Sequence, residues 1–183
     1  MLFRSRDENE NWVWGGAQLL GGRSTRCLIS LSRGGADAKV VREFDLATRR
    51  FVTDGFSLPE AKSEVEWLDE NHVFVGTDFG PGSLTDSGYP RVVKLWKRGS
   101  PLSAATQVYE GQKTDVSAFA SVDPTPGFQR VVVGRSPDFY TNDIALWQDG
   151  KLLPIDKPLD AQLSFWKQHV LIKLRSDWAV AGR

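Results

Sequence analysis

Two Gly-Arg-Ser runs are the parts of this chain that come nearest to a catalytic serine. A serine nucleophile on a strained strand-to-helix turn needs the pattern G-x-S-x-G. Gly22-Arg23-Ser24 and Gly134-Arg135-Ser136 supply only the first half, because Arg26 and Asp138 stand where the second glycine would be. Neither run leads into a helical pattern. We therefore predict that the chain contains no catalytic triad and no catalytic residue.

The two histidines and the single cysteine offer little further chemistry. His72 and His169 each follow a polar turn at the start of a predicted second strand. Their equivalent positions favour a structural role at a hairpin end over a general base or a metal ligand. Cys27 stands alone, which excludes an internal disulfide and a cysteine-based zinc site. We predict that it is a small buried residue, and we expect neither a metal nor another cofactor.

One long connection between predicted strands could carry ligand contacts. Its start, Gly76 to Ser83, superficially resembles a phosphate-binding loop, but it lacks the Gly-Lys-Ser/Thr ending and no helix follows. From Asp78 to Arg91 the segment is rich in Gly, Pro, Ser and Thr. Long loops on rigid scaffolds often bind ligands, so Asp78, Tyr89 and Arg91 are the candidate contact residues. An ordered surface loop without a ligand is the more ordinary interpretation, and both stay open.

Composition limits the classes of partner. The 183 residues include 23 Lys+Arg and 23 Asp+Glu, so the formal net charge is zero, which argues against binding to nucleic acid or to an anionic membrane. No run approaches the roughly 20 apolar residues that cross a bilayer. Met1 to Asn11 lacks the apolar centre of a signal peptide. We expect a cytoplasmic protein, with the periplasm left open because the native N-terminus could lie further upstream.

A repeat of about 50 residues predicts the fold. Short segments rich in Val, Ile, Phe and Trp are bounded by Gly, Pro, Asp or Asn, which is typical of strands. Phe44, Trp96 and Trp147 each close a third predicted strand before a tight turn, at separations of 52 and 51 residues. Four strands per unit at this period are typical of β-propeller blades. We predict an all-β partial β-propeller of about 3.5 four-stranded blades, with 14 strands; a β-sandwich or jelly roll is the alternative.

The domain prediction follows from the same register. We expect an N-terminal tail at residues 1–10 and a partial propeller domain at 11–183. Its blade-like units are predicted at 11–52, 64–109, 116–155 and, incomplete, 162–183. Such a half-ring would leave two blade faces and some strand edges uncovered, and surfaces of this kind tend to associate. Because two copies would add to seven blades, we also expect a homodimer.

Several runs resemble a known family. They are Cys27 to Asp37, Val41 to Leu46, Gly55 to Lys62, Gly76 to Thr85 and Ser87 to Arg91. Together these runs resemble the propeller domain of bacterial serine peptidases of the prolyl oligopeptidase family. The resemblance covers about Asn11 to the C-terminus and is most specific through Gly99.

This resemblance implies a function without implying a catalytic residue. Members of the family carry a seven-bladed propeller attached to an α/β-hydrolase domain, which holds the Ser, Asp and His of the triad. The propeller covers the active site and admits only short peptides. The expected function is thus that of a non-catalytic part of a gating domain, with the parent hydrolase domain and oligopeptide substrates as partners. The alternative is a stand-alone binding or interaction module of the propeller type without peptidase activity.

Overall fold

The structure, a computed structural model, describes residues 9–180 and is built from strands. Fifteen strands form four antiparallel sheets, and the one helical element among these residues is a 3₁₀ turn at Leu102–Ala104. The predicted all-β partial propeller is confirmed. The predicted tail at residues 1–10 lies mostly outside the described residues. Within residues 9–180, no helix is long and apolar enough to cross a membrane.

The four sheets follow one another along the chain and have five, four, four and two strands. The first sheet contains β1 (Trp12–Leu19), β2 (Arg26–Arg33), β3 (Lys39–Asp45), β4 (Arg50–Phe51) and β5 (Ser57–Ala61). The second contains β6 (Glu64–Asp69), β7 (His72–Gly76), β8 (Val92–Lys97) and β9 (Thr106–Glu110). The third contains β10 (Ser117–Asp123), β11 (Arg130–Ser136), β12 (Asp143–Gln148) and β13 (Lys151–Pro154). The fourth is the hairpin of β14 (Gln162–Trp166) and β15 (His169–Lys173).

The predicted count of 14 strands is wrong by one, because the outer strand of the first sheet is split in two. The sequence predicts that the first unit, 11–52, ends with a single fourth strand, whereas β4 and β5 both pair with β3. Residues 52–56 bulge out between them. Pro59 lies where the register between β3 and β5 shifts. Its lack of an N–H group therefore does not interrupt a regular series of hydrogen bonds between the strands. The sequence does not predict β5, because the strand is short and contains a proline, which is uncommon within strands.

The bulge is organised by Glu43 of β3. Its backbone N–H donates to Phe56 O at 2.9 Å, and its carbonyl accepts from Val52 N at 3.0 Å. Its carboxylate turns into the space between the two strand segments and accepts a hydrogen bond from Phe56 N at 2.9 Å. A Cβ added to Gly55 would lie 2.8 Å from Glu43 Cβ, so a glycine is needed for this close approach. The split strand is thus the means by which a carboxylate enters the protein interior.

Successive sheets stack face to face, as the side-chain alternation of β7 shows. Val73 and Val75 face the first sheet, whereas Phe74 between them faces the third. The second sheet is therefore buried on both faces. The core between the first two sheets contains Leu28, Val41, Phe56, Leu58, Trp67, Val73, Val75 and Trp96. The core between the second and third sheets contains Phe74, Val93, Ala118, Val131 and Val133.

The repeated third-strand aromatic residues pack back onto the preceding sheet. Trp96 of the second sheet meets Phe56 edge to face, with ring centroids 5.0 Å apart. Trp147 of the third sheet meets Phe74 of the second in the same way at 5.4 Å. Edge-to-face pairs of this kind add to the free energy gained by burial. The 51-residue spacing therefore marks one repeated contact between neighbouring sheets.

The outer face of the first sheet is covered and does not form the bare surface expected from a half-ring. Cys27, Ile29 and Leu31 point away from the second sheet, yet each is at most 7% exposed. Trp12 and Phe51 pack against this cluster. Burial raises the pKa of the Cys27 thiol, with smaller contributions from nearby carboxylates. Cys27 is thus the small buried residue that the sequence predicts.

One buried carboxylate joins the first two sheets. Arg98, in the turn after β8, donates to both carboxylate oxygens of Glu43, at 2.8 and 3.0 Å. Arg26 adds a third bond at 3.2 Å, and the Glu43 side chain has no solvent exposure. The Arg98 guanidinium also lies 4.6 Å from the ring centroid of Phe56. Two guanidinium groups thus supply the partners without which a buried carboxylate is strongly destabilising.

We predict that Glu43→Gln lowers the free energy of unfolding by about 3 kcal/mol, because it leaves Arg98 and Arg26 without their shared counter-charge. Urea denaturation followed by tryptophan fluorescence measures the change. The matched control is Glu60→Gln, which removes a partly exposed partner of Arg33 and is expected to cost less than about 1 kcal/mol. Equal losses for the two variants would show that the buried pair has no special role.

Candidate functional site

The long connection between β7 and β8 is an ordered hairpin. Thr85 N donates to Tyr89 O at 2.9 Å, and Arg91 N donates to Ser83 O at 2.9 Å. Leu84 and Pro90 form an isolated bridge between the two arms. The segment is therefore held by its own backbone before any side chain is considered.

Asp78 and Arg91, two of the predicted contact residues, hold this backbone in place. Asp78 Oδ1 accepts hydrogen bonds from Gly80 N at 2.8 Å and from Ser83 Oγ at 3.3 Å, which is an Asx turn. Arg91 Nε donates to Gly82 O at 2.8 Å, and its guanidinium also bonds to Gly111 O and pairs with Glu110. The bond from Arg91 lowers the pKa of the Glu110 carboxyl. Arg91 is thus bonded largely within the protein, whereas Asp78 holds the turn through Oδ1 and is exposed at the surface.

Tyr89, the third predicted contact residue, reaches back to the first sheet. Its hydroxyl donates to Asp37 Oδ2 at 3.2 Å, and this bond raises the pKa of the phenol. The Lys62 ammonium lies 4.2 Å from the centroid of its ring. Asp37 lies between β2 and β3, and Lys62 lies between β5 and β6. The tyrosine therefore links the loop to a connection within the first sheet and to the connection between the first and second sheets.

The tip of the same loop contacts the third sheet. Asp86 N donates to Lys113 O at 2.8 Å. The hydroxyls of Thr85 and Ser87 both donate to Val116 O at 3.1 Å. The loop thus connects three successive sheets, and its three candidate residues do not converge on one cavity. This geometry favours the ordered surface loop over a ligand-binding loop.

A cavity of about 460 Å³ lies elsewhere, where the first strands of three sheets meet. The edges of β1, β6 and β10 form its wall, together with β2 and β3 residues behind them. Trp67 Nε1 donates to Gln18 O at 3.1 Å and fixes β1 against β6. The lining combines small residues (Gly15, Gly16, Ala17, Ser30, Ser117 and Ala120) with polar ones (Gln18, Lys39, Glu64 and Glu66). We refer to this site as the inner-wall cavity.

Glu66 is the half-buried carboxylate of the inner-wall cavity. Burial raises the pKa of its carboxyl, and the hydrogen bond from the Gln18 amide acts in the opposite direction. Among the described residues, no Lys, Arg or His nitrogen forms an ion pair with Glu66. Glu64, two residues earlier, is exposed and lies 3.8 Å from Lys39. The cavity therefore contains one compensated and one uncompensated carboxylate.

Two larger spaces between sheets carry less distinct chemistry. A cleft of about 550 Å³ between the first two sheets is lined in part by Arg23, Arg26 and Arg98, but the last two already share Glu43. A cavity of about 560 Å³ separates the third sheet from the β14–β15 hairpin. Both are open spaces between sheets rather than clusters of reactive groups.

The histidines occupy hairpin ends, as the sequence predicts. His72 Nδ1 lies 3.0 Å from Asp69 Oδ1 across the turn between β6 and β7. His169 opens β15 opposite Trp166 and is exposed. Within residues 9–180, no group of three or more His, Cys, Asp or Glu side chains is arranged to hold a metal ion.

Sequence reasoning did not identify Gln18, Glu64 or Glu66. With 23 carboxylates in the chain, nothing in their types distinguishes these two. Their position in the repeat was the available signal. Glu64 and Glu66 are two residues apart on the first strand of a unit, and the first strands lie where successive sheets converge.

The comparison with known proteins agrees with this architecture. The family described as "Prolyl oligopeptidase, N-terminal beta-propeller domain" matches residues 9–132. The uncharacterized peptidase y4nA of Sinorhizobium fredii is 40% identical over 186 residues, which cover 97% of this chain and 25% of that protein. The uncharacterized peptidase RP174 of Rickettsia prowazekii is 33% identical and covers 84% and 23%. The chain therefore belongs to the prolyl oligopeptidase family and matches its N-terminal β-propeller domain.

A solved structure shows the same arrangement of strands. The post-proline cleaving enzyme from Rickettsia typhi superposes with a TM-score of 0.86 at 28% identity, over 95% of this chain and 27% of that one. The chain thus spans about a quarter of the length of the relatives that it matches. This domain is part of a larger peptidase in its structural neighbours.

We predict that Arg91→Ala lowers the free energy of unfolding by about 1–2 kcal/mol, because it removes charge-assisted bonds to the loop backbone. Amide hydrogen exchange is expected to accelerate between residues 80 and 90. The control is Lys113→Ala, which deletes another cation beside this loop, exposed and paired with Asp86 at 3.3 Å, and is expected to change stability by about 0.5 kcal/mol or less. Unchanged exchange in Arg91→Ala would assign the loop's order to its backbone alone.

Proposed function

We propose that this chain forms part of the substrate filter of a prolyl oligopeptidase-type serine peptidase. The observation that carries the proposal is the convergence of three first strands, β1, β6 and β10, on one polar wall within a rigid stack of sheets. A wall of this kind limits the size of what passes it and offers hydrogen-bonding groups to what does pass. The membership of the chain in the family supports this assignment.

The filter acts by exclusion and guidance, and bond cleavage belongs to another domain. Neither Gly-Arg-Ser run forms a nucleophile elbow, since Ser24 precedes β2 and Ser136 ends β11. The ion pair of Glu43 with Arg98 and the loop that joins three sheets resist separation of the blades. Such resistance is what a size filter requires, because a wall that yields to a folded protein would not select short peptides.

The proposed partners are the α/β-hydrolase domain of the parent peptidase and oligopeptide substrates. A relative is named a post-proline cleaving enzyme, and we extend that substrate class, peptides containing proline, to the parent of this chain. A stand-alone binding module is the competing function. A reading frame that continues after Arg183 into a hydrolase sequence favours the filter, and a stop codon there favours the module.

We predict that the pure 183-residue chain does not hydrolyse a chromogenic prolyl peptide, because the nucleophile belongs to the parent's other domain. Release of the chromophore is followed by absorbance, with an intact prolyl oligopeptidase as the positive control. Turnover that co-purifies with the chain through successive steps would contradict the proposal. Covalent labelling of the 183-residue chain by a serine-directed inhibitor would place the nucleophile within it.

We further propose that the isolated chain pairs with a second copy through its open end. The β14–β15 hairpin exposes Trp166 and Leu171, at 64% and 53%, on the face turned away from the third sheet. Among residues 9–180, β15 pairs with β14 and with no other strand, so its second edge is open to a strand of another copy. Because the outer face of the first sheet is covered, the hairpin end is the one that we expect to associate with a second copy.

Light scattering on the pure chain is expected to show a dimer that Leu171→Lys converts to a monomer, because a lysine is costly to bury at such an interface. The control is Phe139→Ser, which removes another exposed apolar side chain in the β11–β12 connection and is expected to leave the dimer intact. A stable monomer at tens of micromolar would overturn the pairing.

A further inference from the structure

We infer that the inner-wall cavity binds a cationic amine of a peptide, with Glu66 as the acceptor. This inference rests on the proposed filter function and names the chemical group that the wall recognises. The group is an ammonium, carried either by the N-terminus of a peptide or by a lysine side chain.

The first argument is the incomplete bonding of Glu66. Its carboxylate receives one side-chain hydrogen bond, from the Gln18 amide, although two ionised oxygens can accept about four. It is half-buried, and burial of a carboxylate without a cation is unfavourable. A ligand ammonium offers three donors and a positive charge. A bound ammonium would therefore supply the cation that the described residues of the protein do not provide to Glu66.

The second argument is the space in front of the carboxylate. A volume of about 460 Å³ lies within the range of roughly 300–1,000 Å³ that is typical of small-molecule sites. Much of the wall is made of glycine, alanine and serine, and a Cβ built on Gly16 would meet no atom within 4 Å. Small side chains thus leave room for a peptide end or a lysine side chain beside Glu66.

The third argument is the sign of the charge in the cavity. The lining contains Glu64 and Glu66 against Lys39 alone. Lys39 lies 3.8 Å from Glu64, so its charge is already compensated within the wall. The remaining charge is negative and belongs to Glu66. A cation is therefore favoured over a carboxylate terminus.

Calorimetric titration of the pure chain with three matched peptides tests the inference. They are a proline-containing pentapeptide with a free N-terminus, its N-acetylated form, and the acetylated form with one lysine. We expect the free-amine or the lysine peptide to bind about tenfold more tightly than the neutral acetylated one. The peptide that gains affinity identifies which of the two amines the cavity takes.

Two variants assign the effect to the cavity. Glu66→Gln is expected to abolish the tenfold difference, whereas Glu70→Gln, the same substitution at an exposed turn, is expected to preserve it. Gln18→Ala leaves the carboxylate charge in place and should keep the preference for a cation. Urea denaturation of each variant confirms that it is folded.

Equal affinity of all three peptides for the wild-type chain would overturn the cation site. So would a preference that survives in Glu66→Gln, or no detectable binding of any peptide. None of these results would decide the filter function, which is tested separately by whether the parent peptidase cleaves short peptides and spares folded proteins.

Discussion

The buried carboxylate of Glu43 is the constraint on which the first half of the structure depends. A carboxylate without solvent must have its charge compensated nearby. Arg26 supplies part of that from the same sheet, and Arg98 supplies the rest from the next one. The outer strand opens around residues 52–56 so that Phe56 N can reach the same group. One charge thus sets the shape of an edge strand and the position of the second sheet.

Apolar packing extends the same arrangement along the stack. Trp96 and Trp147 each meet an aromatic ring of the preceding sheet, so the second and third sheets are each packed against the one before. The loop at residues 77–91 adds polar bonds to the sheets on both sides. Residues that were expected to contact a ligand, Tyr89 and Arg91, are part of this internal bonding. The consequence is that polar bonds and aromatic contacts join the same sheets, as the proposed exclusion of folded proteins requires.

Polar chemistry that is not used for internal bonding lies at the edge where the first strands converge. Glu43 and Glu66 are both removed from water to some extent, yet they differ in their partners. Glu43 has two guanidinium groups and serves stability, whereas Glu66 has a single amide and no cation among the described residues. The contrast separates a structural carboxylate from one available to a ligand.

The amino-acid sequence by itself determined the fold class, the family resemblance, the buried Cys27 and the hairpin positions of both histidines. These features follow from local patterns, because the residue composition of the strands and the 51-residue spacing can be recognised in the sequence without knowledge of the fold. Only the tertiary structure decided that the outer strand is split, that Arg91 bonds to its own loop, and that Glu43 and Glu66 differ. Arg98 is 55 residues from Glu43, and Gln18 is 48 residues from Glu66. Contacts between residues so far apart in the sequence depend on how the sheets stack. A periodic pattern shows that strands recur, but it does not show which polar side chains come into contact.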